Sequence, residues 1–127
     1  MRKLEEAGLL KGKMLDFGCG KGIDADTYGM DKYDLHYNRV PLVDGIYDTI
    51  TCNYVLNVIE SNKERLAIQL AFDCLLKKGG IAYITVRRDI KTEGYTKRGT
   101  YQENIVLDLP ILWETAGCCT YIQRSEK

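Results

Sequence analysis

Three glycines at alternate positions, placed directly after a short apolar run, constrain this chain more than any other feature of its sequence. The run Lys13–Phe17 reads KMLDF, and the overlapping segment Asp16–Gly22 reads DFGCGKG. Because glycine has no Cβ, it adopts backbone conformations that other residues avoid, and it lets a ligand approach the main chain closely. A strand that ends in such a loop is typical of α/β proteins that bind nucleotides or cofactors. The segment therefore predicts a first strand followed by a ligand-binding loop.

The other apolar patterns alternate between strand-like and helix-like periods, which predicts helices packed on a mostly parallel sheet. A short helix is expected within residues 2–10, and a second strand over Thr27–Asp31. The β-branched segment Tyr47–Asn53 predicts the third strand in chain order, and a helical turn through Val55–Ile59 should follow it.

The clearest predicted helix begins at Ser61–Glu64, a capping box in which the serine hydroxyl accepts from a free backbone amide while the glutamate reaches back. Lys77–Gly80 should close this helix. Its apolar stripe consists of Ile68, Phe72, Leu75 and Leu76.

The C-terminal part of the chain predicts three more strands. Ile81–Val86 is a buried central strand by its length and branching. Asn104–Leu109 and Cys119–Ile122 are expected to form the other two, joined across residues 110–117.

Size and charge exclude several classes of protein. The 127 residues predict one domain, residues 1–127. Eighteen Lys and Arg residues balance eighteen Asp and Glu residues, so no global field attracts nucleic acid or an anionic membrane. The longest apolar runs are far shorter than the roughly 20 residues that cross a bilayer. Acids follow Met1 where a signal peptide would be apolar, so we expect a cytoplasmic protein with no membrane partner.

The few cysteines and histidines predict no metal site. Five cysteines occur without a CxxC pair, and we interpret them as free thiols that pack as small apolar residues. His36 is the only histidine, and we interpret it as a loop residue rather than a general base.

The spacing of the glycine loop argues against two common nucleotide motifs. A phosphate-binding P-loop needs a hydroxyl residue after its lysine, but Gly22 follows Lys21. A dinucleotide fingerprint needs its third glycine one residue later and an acid about 20 residues on. Here the acid Asp31 comes 13 residues after Gly18, so nicotinamide binding is not expected.

At this loop the chain resembles the class I S-adenosylmethionine-dependent methyltransferases, whose first motif is an acid followed by alternating glycines. Tyr47–Ile59 is similar to the fourth-strand segment of that family. Leu76–Gly80 is similar to its L-K-P-G-G element, with Lys78 in place of the proline. The resemblance covers most of residues 13–86, and the last two predicted strands fit the antiparallel hairpin that ends the family's fold. Residues 53–58, 99–102 and 106–110 further resemble small methyltransferase-like proteins associated with phages and DNA phosphorothioation gene clusters.

The resemblance implies an α/β fold: a three-layer Rossmann-like methyltransferase core whose mostly parallel sheet ends in a C-terminal antiparallel hairpin. Only nine positions separate Gly22 from Asp31, so the first helix must be short or lost. Residues 32–46 contain no clean strand, so the usual third strand should be absent or a stub. We therefore expect a core that is shortened around strands 2 and 3.

The resemblance also implies S-adenosyl-L-methionine as the cofactor and assigns its binding residues. An acid that ends the second strand holds the ribose hydroxyls in this family; Asp31 has the expected form and Asp34 is a rival. The methyl-donor site is expected to comprise one of these two acids together with Asp16, Gly18, Gly20, Gly22 and Asn53.

The end of the fourth family strand is the predicted catalytic position. Asn53 and Tyr54 lie there, and we expect the Asn53 amide to position the donor or the acceptor while Tyr54 forms a wall. A strand-end cap is the alternative for Asn53. The proline pair of many base-amine methyltransferases is missing from Asn53–Leu56, and no Pro-Cys nucleophile for cytosine carbon methylation exists.

The segment from Arg87 to Gln102 predicts the acceptor class. It carries five basic residues against two acids and leaves the central strand at its carboxyl end, where ligands of open α/β sheets bind. Arginines pair with phosphates and bases stack on tyrosines, so a nucleic acid or another phosphorylated acceptor is expected. A small metabolite and a merely solvated segment are the alternatives. The residues expected to bind the acceptor are Arg87, Arg88, Tyr95 and Tyr101.

The sequence therefore predicts methyl transfer from S-adenosylmethionine to an acceptor. The alternative is a non-catalytic, cofactor-binding or regulatory partner of another protein.

Overall fold

The computed structural model describes residues 1–34 and 41–127. Its helices and strands, in chain order, are α1 (Arg2–Glu6), β1 (Met14–Phe17), α2 (Ile23–Tyr28), β2 (Asp31–Tyr33), β3 (Tyr47–Asn53), a 3-10 turn (Leu56–Val58), α3 (Asn62–Leu75), β4 (Leu76–Arg87), β5 (Gly94–Tyr95), β6 (Tyr101–Gln102), β7 (Ile111–Glu114) and β8 (Cys118–Arg124).

Six of the strands form one mixed sheet in the order β2-β1-β3-β4-β8-β7. The first four are parallel, with Leu15 opposite Ile50 and Ile50 opposite Ala82. β8 runs antiparallel to β4, and β7 runs antiparallel to β8. The chain thus has the predicted α/β Rossmann-like fold, a mostly parallel sheet that ends in a C-terminal antiparallel hairpin. The carboxyl ends of β1, β2, β3 and β4 meet at one edge.

One face of the sheet carries the hydrophobic core under α3. Leu15, Ile50, Ile84 and Tyr121 point to this face, where they pack with Phe72 and the rest of one apolar cluster. Burial of such side chains supplies most of the driving force for folding. The capping prediction is confirmed, since Ser61 Oγ accepts from the Glu64 amide at 3.3 Å. The helix ends at Leu75, however, and Leu76 already begins β4 with an extended backbone.

The opposite face of the sheet is lined by hydroxyl groups. Side chains alternate between the two faces of a strand, so Thr51, Thr85 and Thr120 point away from the α3 core. All three are buried, and the Thr85 and Thr120 hydroxyls lie 2.8 Å apart. Asp16 shares this face, because its carboxylate accepts from Thr51. This polar face is the floor of the site described below.

The predicted second strand was wrong in its position. Thr27 belongs to α2, and β2 comprises Asp31–Tyr33 instead of Thr27–Asp31. Gly22 and Gly29 flank α2 with left-handed backbones, at φ +85° and +68°, which lets a six-residue helix start and stop abruptly. The prediction of a shortened first helix is therefore confirmed. The prediction about a missing third strand falls partly on residues 35–40, which lie outside the described residues, as does His36.

The predicted strand Asn104–Leu109 was also wrong. This segment is irregular, and the partner of β8 in the hairpin is Ile111–Glu114. The Asn104 side chain donates to the Ile90 carbonyl and accepts from the Ile90 amide. Such bonds from a side chain to the main chain compete with strand pairing. Cys119–Ile122 does lie within β8.

No helix within residues 1–34 or 41–127 has the length and apolar character needed to span a membrane.

Candidate functional site

The glycine loop connects β1 to α2 at the carboxyl edge of the sheet. Gly18 and Gly20 have φ values of +79° and +59°, a region that favours glycine. The amides of Gly18 and Cys19 both donate to the carbonyl of Tyr33, at 2.7 and 3.2 Å, so the loop is held against the end of β2. A Cβ at Gly18 would lie 2.3 Å from Cγ2 of Val55. The loop therefore fits its place only with glycine at position 18.

Asp16 provides a buried carboxylate beneath this loop. Its Oδ1 accepts from the Thr51 hydroxyl at 2.9 Å. Burial raises the pKa of Asp16 to about 6, although the Thr51 hydrogen bond acts in the opposite direction. A carboxylate that is costly to ionise alone is stabilised by a cationic ligand, so this position favours a positively charged group nearby.

The structure separates the two candidates for the ribose contact. Asp34 follows β2 at the carboxyl edge, and its Oδ2 accepts from the Gly20 amide at 2.8 Å. Asp31 begins β2 and is directed away from the loop, since it accepts from Tyr47 Oη at 2.7 Å and from Lys13 Nζ at 3.2 Å. Of the two acids, only Asp34 reaches the glycine loop.

Asn53 and Tyr54 lie together at the end of β3, as predicted from the sequence. Asn53 is the last residue of the strand, opposite Thr85 of β4. The Tyr54 amide donates to the Thr85 carbonyl at 2.8 Å, and its backbone has φ +61°. This left-handed conformation is uncommon for a bulky residue, and such strain often occurs at functional sites. Burial raises the pKa of the half-exposed Tyr54 phenol, as does its hydrogen bond with Cys118.

Two cavities flank these residues. The first, which we call the β8 cavity, has a volume of about 390 Å³, and polar groups on its walls include Asp16, Asp24 and Thr120. The second, the β2 cavity, has a volume of about 520 Å³ and is lined by Tyr33, Asp34 and a set of apolar side chains: Phe17, Val55, Val58, Ile59 and Ile68. Gly18, Asn53 and Tyr54 line both cavities. The two cavities therefore adjoin each other at these three residues.

The predicted acceptor residues do not converge. Arg87 lines a groove beside Tyr54, where its Nε lies 3.0 Å from Asp89 Oδ1. Arg88 is directed elsewhere: it donates to Tyr121 Oη at 2.6 Å and lies 3.2 Å from Glu114. Arg87 is the last residue of β4 and Arg88 follows it directly. Because successive side chains of an extended chain point to opposite faces, these neighbouring arginines separate.

The two tyrosines of the predicted acceptor segment contact each other. Tyr95 of β5 and Tyr101 of β6 pack edge to face with ring centroids 5.4 Å apart. Their hydroxyls donate to Glu60 and Glu103. Both hydroxyls are therefore engaged within the chain, although the Tyr95 side chain remains 64% exposed.

Several residues at the site were not identified from the sequence. Cys118 lines the β8 cavity and the groove beside Arg87, and Asn57 lines the same groove. Asn57 did carry a signal, because it is a polar residue inside the apolar run Val55–Ile59. Cys118 carried none, since its place depends on the pairing of β8 with β4. Among residues 1–34 and 41–127, no three acidic, histidine or cysteine side chains form a group that could hold a metal ion.

No protein-family model matches this sequence, and no curated protein matches it. Solved structures do share the fold, and several are S-adenosylmethionine-dependent methyltransferases. The one from Mesorhizobium loti has a TM-score of 0.53 and 15% identity, over 77% of this chain and 62% of that chain.

Two further structures show the range of proteins with this fold. One is named for the conversion of a disulfide bond into a thioacetal group during echinomycin biosynthesis; it has a TM-score of 0.58 and 23% identity, over 69% of this chain and 49% of that chain. The other is the [4+2]-cyclase SpnF, with a TM-score of 0.50 and 19% identity, over 80% of this chain and 49% of that chain. This chain thus spans about half the length of these two proteins. At such identities the likeness shows the fold, and the residues of the site must carry any further conclusion.

Proposed function

We propose that this chain binds S-adenosylmethionine and transfers its methyl group to an acceptor. The observation that carries the proposal is that the β8 cavity and the β2 cavity adjoin at Gly18, Asn53 and Tyr54. The cofactor has an amino-acid half and an adenosine half on either side of a sulfonium. The β8 cavity has charged walls and the β2 cavity has mostly apolar walls, which match these two halves.

The β8 cavity suits the amino-acid half. Asp16 and Asp24 on its walls attract an ammonium group, and Lys3 on the same walls attracts a carboxylate. Gly18 lines this cavity, and because glycine has no side chain, a ligand can approach its main chain closely.

The β2 cavity suits the adenosine half. Its apolar wall, which includes Val55, Val58 and Ile68, offers the flat nonpolar contact that a purine ring needs. Asp34 stands at the rim of this wall, where a carboxylate can accept from two ribose hydroxyls. We therefore assign the ribose contact to Asp34 instead of Asp31.

Asn53 and Tyr54 lie between the two halves, beside the place where the sulfonium would be. When bound, the cofactor supplies an activated methyl group. Asn53 positions the reacting groups with its amide, and Tyr54 closes the site with its ring. Methyl transfer from a sulfonium needs chiefly alignment and a polar surrounding, which these residues supply without a strong base.

A nucleic acid bound by residues 87–102, the acceptor expected from the sequence, has less support than a small-molecule acceptor. Arg88, Tyr95 and Tyr101 are engaged with other side chains of this molecule. Because these contacts already engage three of the side chains expected to bind a nucleic acid, we propose a small-molecule acceptor instead. We further propose that residues 1–127 act as one domain in the cytoplasm.

Calorimetry of the purified chain with S-adenosylhomocysteine tests the proposal. We expect saturable binding, and we expect adenosine to compete for it because adenosine occupies the β2 cavity alone. Absence of binding would contradict the proposed function. Binding without methyl transfer to any acceptor would favour the alternative, a non-catalytic cofactor-binding partner of another protein.

A further inference from the structure

A third groove lies next to the proposed cofactor site. This β4 groove has a volume of about 550 Å³ and runs between the segment after β3, the end of β4 and the start of β8. It shares Tyr54 with both cofactor cavities and Cys118 with the β8 cavity. A molecule in the groove would therefore contact the same tyrosine that stands between the two cofactor halves.

Two opposite charges face this groove. Arg87 and Asp89 both line it and form an ion pair with 3.0 Å between Nε and Oδ1. Both side chains are about half exposed, at 44% and 49%, and a solvent-exposed pair of this kind contributes little to stability. A ligand that carries a carboxylate and an ammonium group can therefore replace the internal pair at small cost.

The polar groups deeper in the groove are neutral. Asn57 is 1% exposed, and its Nδ2 donates to Gln102 Oε1 at 3.2 Å. Among the described residues Asn57 Oδ1 is buried and has no hydrogen-bond partner. Buried polar groups are nearly always paired, so this oxygen is an acceptor that a donor entering beside the groove would satisfy.

We propose that the β4 groove binds the methyl acceptor and that this acceptor is a small zwitterion of the free amino acid type. Its carboxylate lies on Arg87 and its ammonium on Asp89. A polyanion is disfavoured, because Asp89 would repel its phosphates. This inference rests on the proposed function and adds the substrate class.

The reacting group is a nucleophile on the side chain of the amino acid, since its ammonium is held by Asp89. The nucleophile uses its lone pair to form a bond to the methyl carbon. The carbon–sulfur bond breaks with its electron pair going to sulfur, which becomes a neutral thioether. A nucleophile that carries a proton releases it to water.

The test incubates the full chain with S-adenosylmethionine and each free amino acid, beside single-stranded DNA and RNA oligonucleotides, and measures S-adenosylhomocysteine. We expect turnover with at least one amino acid. Arg87→Gln should raise KM for that amino acid by about tenfold, the effect of one charge-assisted hydrogen bond, with kcat nearly unchanged. Asp89→Asn should raise it as well.

Lys97→Gln is the matched control, because Lys97 is an exposed basic residue of the same segment and does not line the groove. It should leave KM unchanged. Equal KM values for Arg87→Gln and the wild type would overturn the inference, and so would turnover of oligonucleotides alone. Failure of the wild type to bind S-adenosylhomocysteine would instead overturn the proposed function, and with it the inference.

Discussion

Thr51 donates its hydroxyl to the carboxylate of Asp16 across the pairing of β1 and β3, at 2.9 Å, and both side chains are buried. Among the described residues, this is the one side-chain hydrogen bond that offsets the burial of the Asp16 carboxylate. Burial outweighs it, since the pKa of Asp16 rises to about 6. The ionised carboxylate is thus kept at the proposed cofactor site at a cost to stability, as is common where function needs a charge.

Asp16→Asn should stabilise the ligand-free protein near pH 7.5 and weaken cofactor binding. The pKa is higher in the folded state than in the unfolded state, so protonation favours folding. This contribution is fully present below pH 3.8 and is lost as the pH rises through about 6. At pH 7.5 the variant should gain up to about 3 kcal/mol.

Urea unfolding of the wild type and Asp16→Asn at pH 4 and pH 7.5 measures this difference. We expect a small difference at pH 4 and a large one at pH 7.5, together with a lower affinity for S-adenosylmethionine. A stability difference that does not change with pH would contradict the raised pKa.

Gly18→Ala should destabilise the glycine loop more than Gly20→Ala does. Both positions have a left-handed backbone, which costs about 1 to 2 kcal/mol for a residue with a Cβ. Only at Gly18 does the new Cβ also collide with Val55, at 2.3 Å, whereas a Cβ at Gly20 meets no atom of residues 1–34 or 41–127 within 4 Å. Urea unfolding of both variants checks the order. Adding Val55→Ala to Gly18→Ala should recover part of the loss; no recovery would mean that the contact with Val55 is unimportant.

Asp34→Asn should lower the affinity for S-adenosylhomocysteine by about tenfold, because a neutral amide accepts less strongly from ribose hydroxyls. The Asn side chain can still accept from the Gly20 amide, so the loop should keep its shape. Asp31→Asn is the matched control, since Asp31 contacts Lys13 and Tyr47 away from the loop. Calorimetry that shows the loss for Asp31→Asn instead would reassign the ribose contact.

Arg88→Gln should lower stability without changing acceptor kinetics. Arg88 links β4 to the C-terminal hairpin through Tyr121 and Glu114, so its loss should cost about 1 to 3 kcal/mol. Thermal unfolding and KM for the acceptor are the two measurements. A rise in KM at unchanged stability would return Arg88 to the acceptor site predicted from the sequence.

Much of the fold could be predicted because its patterns are local. β1, β3 and the start of α3 are where a β-branched run, a glycine boundary or a capping serine indicates them. The predicted strands Thr27–Asp31 and Asn104–Leu109 were misplaced. The left-handed cap at Gly29 decides where the first one begins, and the hydrogen bonds of the Asn104 side chain keep the second segment irregular; the periodicity of the sequence reveals neither.

The sequence by itself determined the type of the site. It showed a glycine loop after β1, an acid beneath that loop, and polar residues at the end of β3, the strand that pairs with β1. Only the tertiary structure decided which residues meet there. Asp34 and not Asp31 reaches the loop because β2 begins at Asp31 and runs parallel to β1. Arg87 and not Arg88 faces the groove because adjacent side chains of a strand point to opposite faces, and the register of β4 with β8 sets which face each one takes.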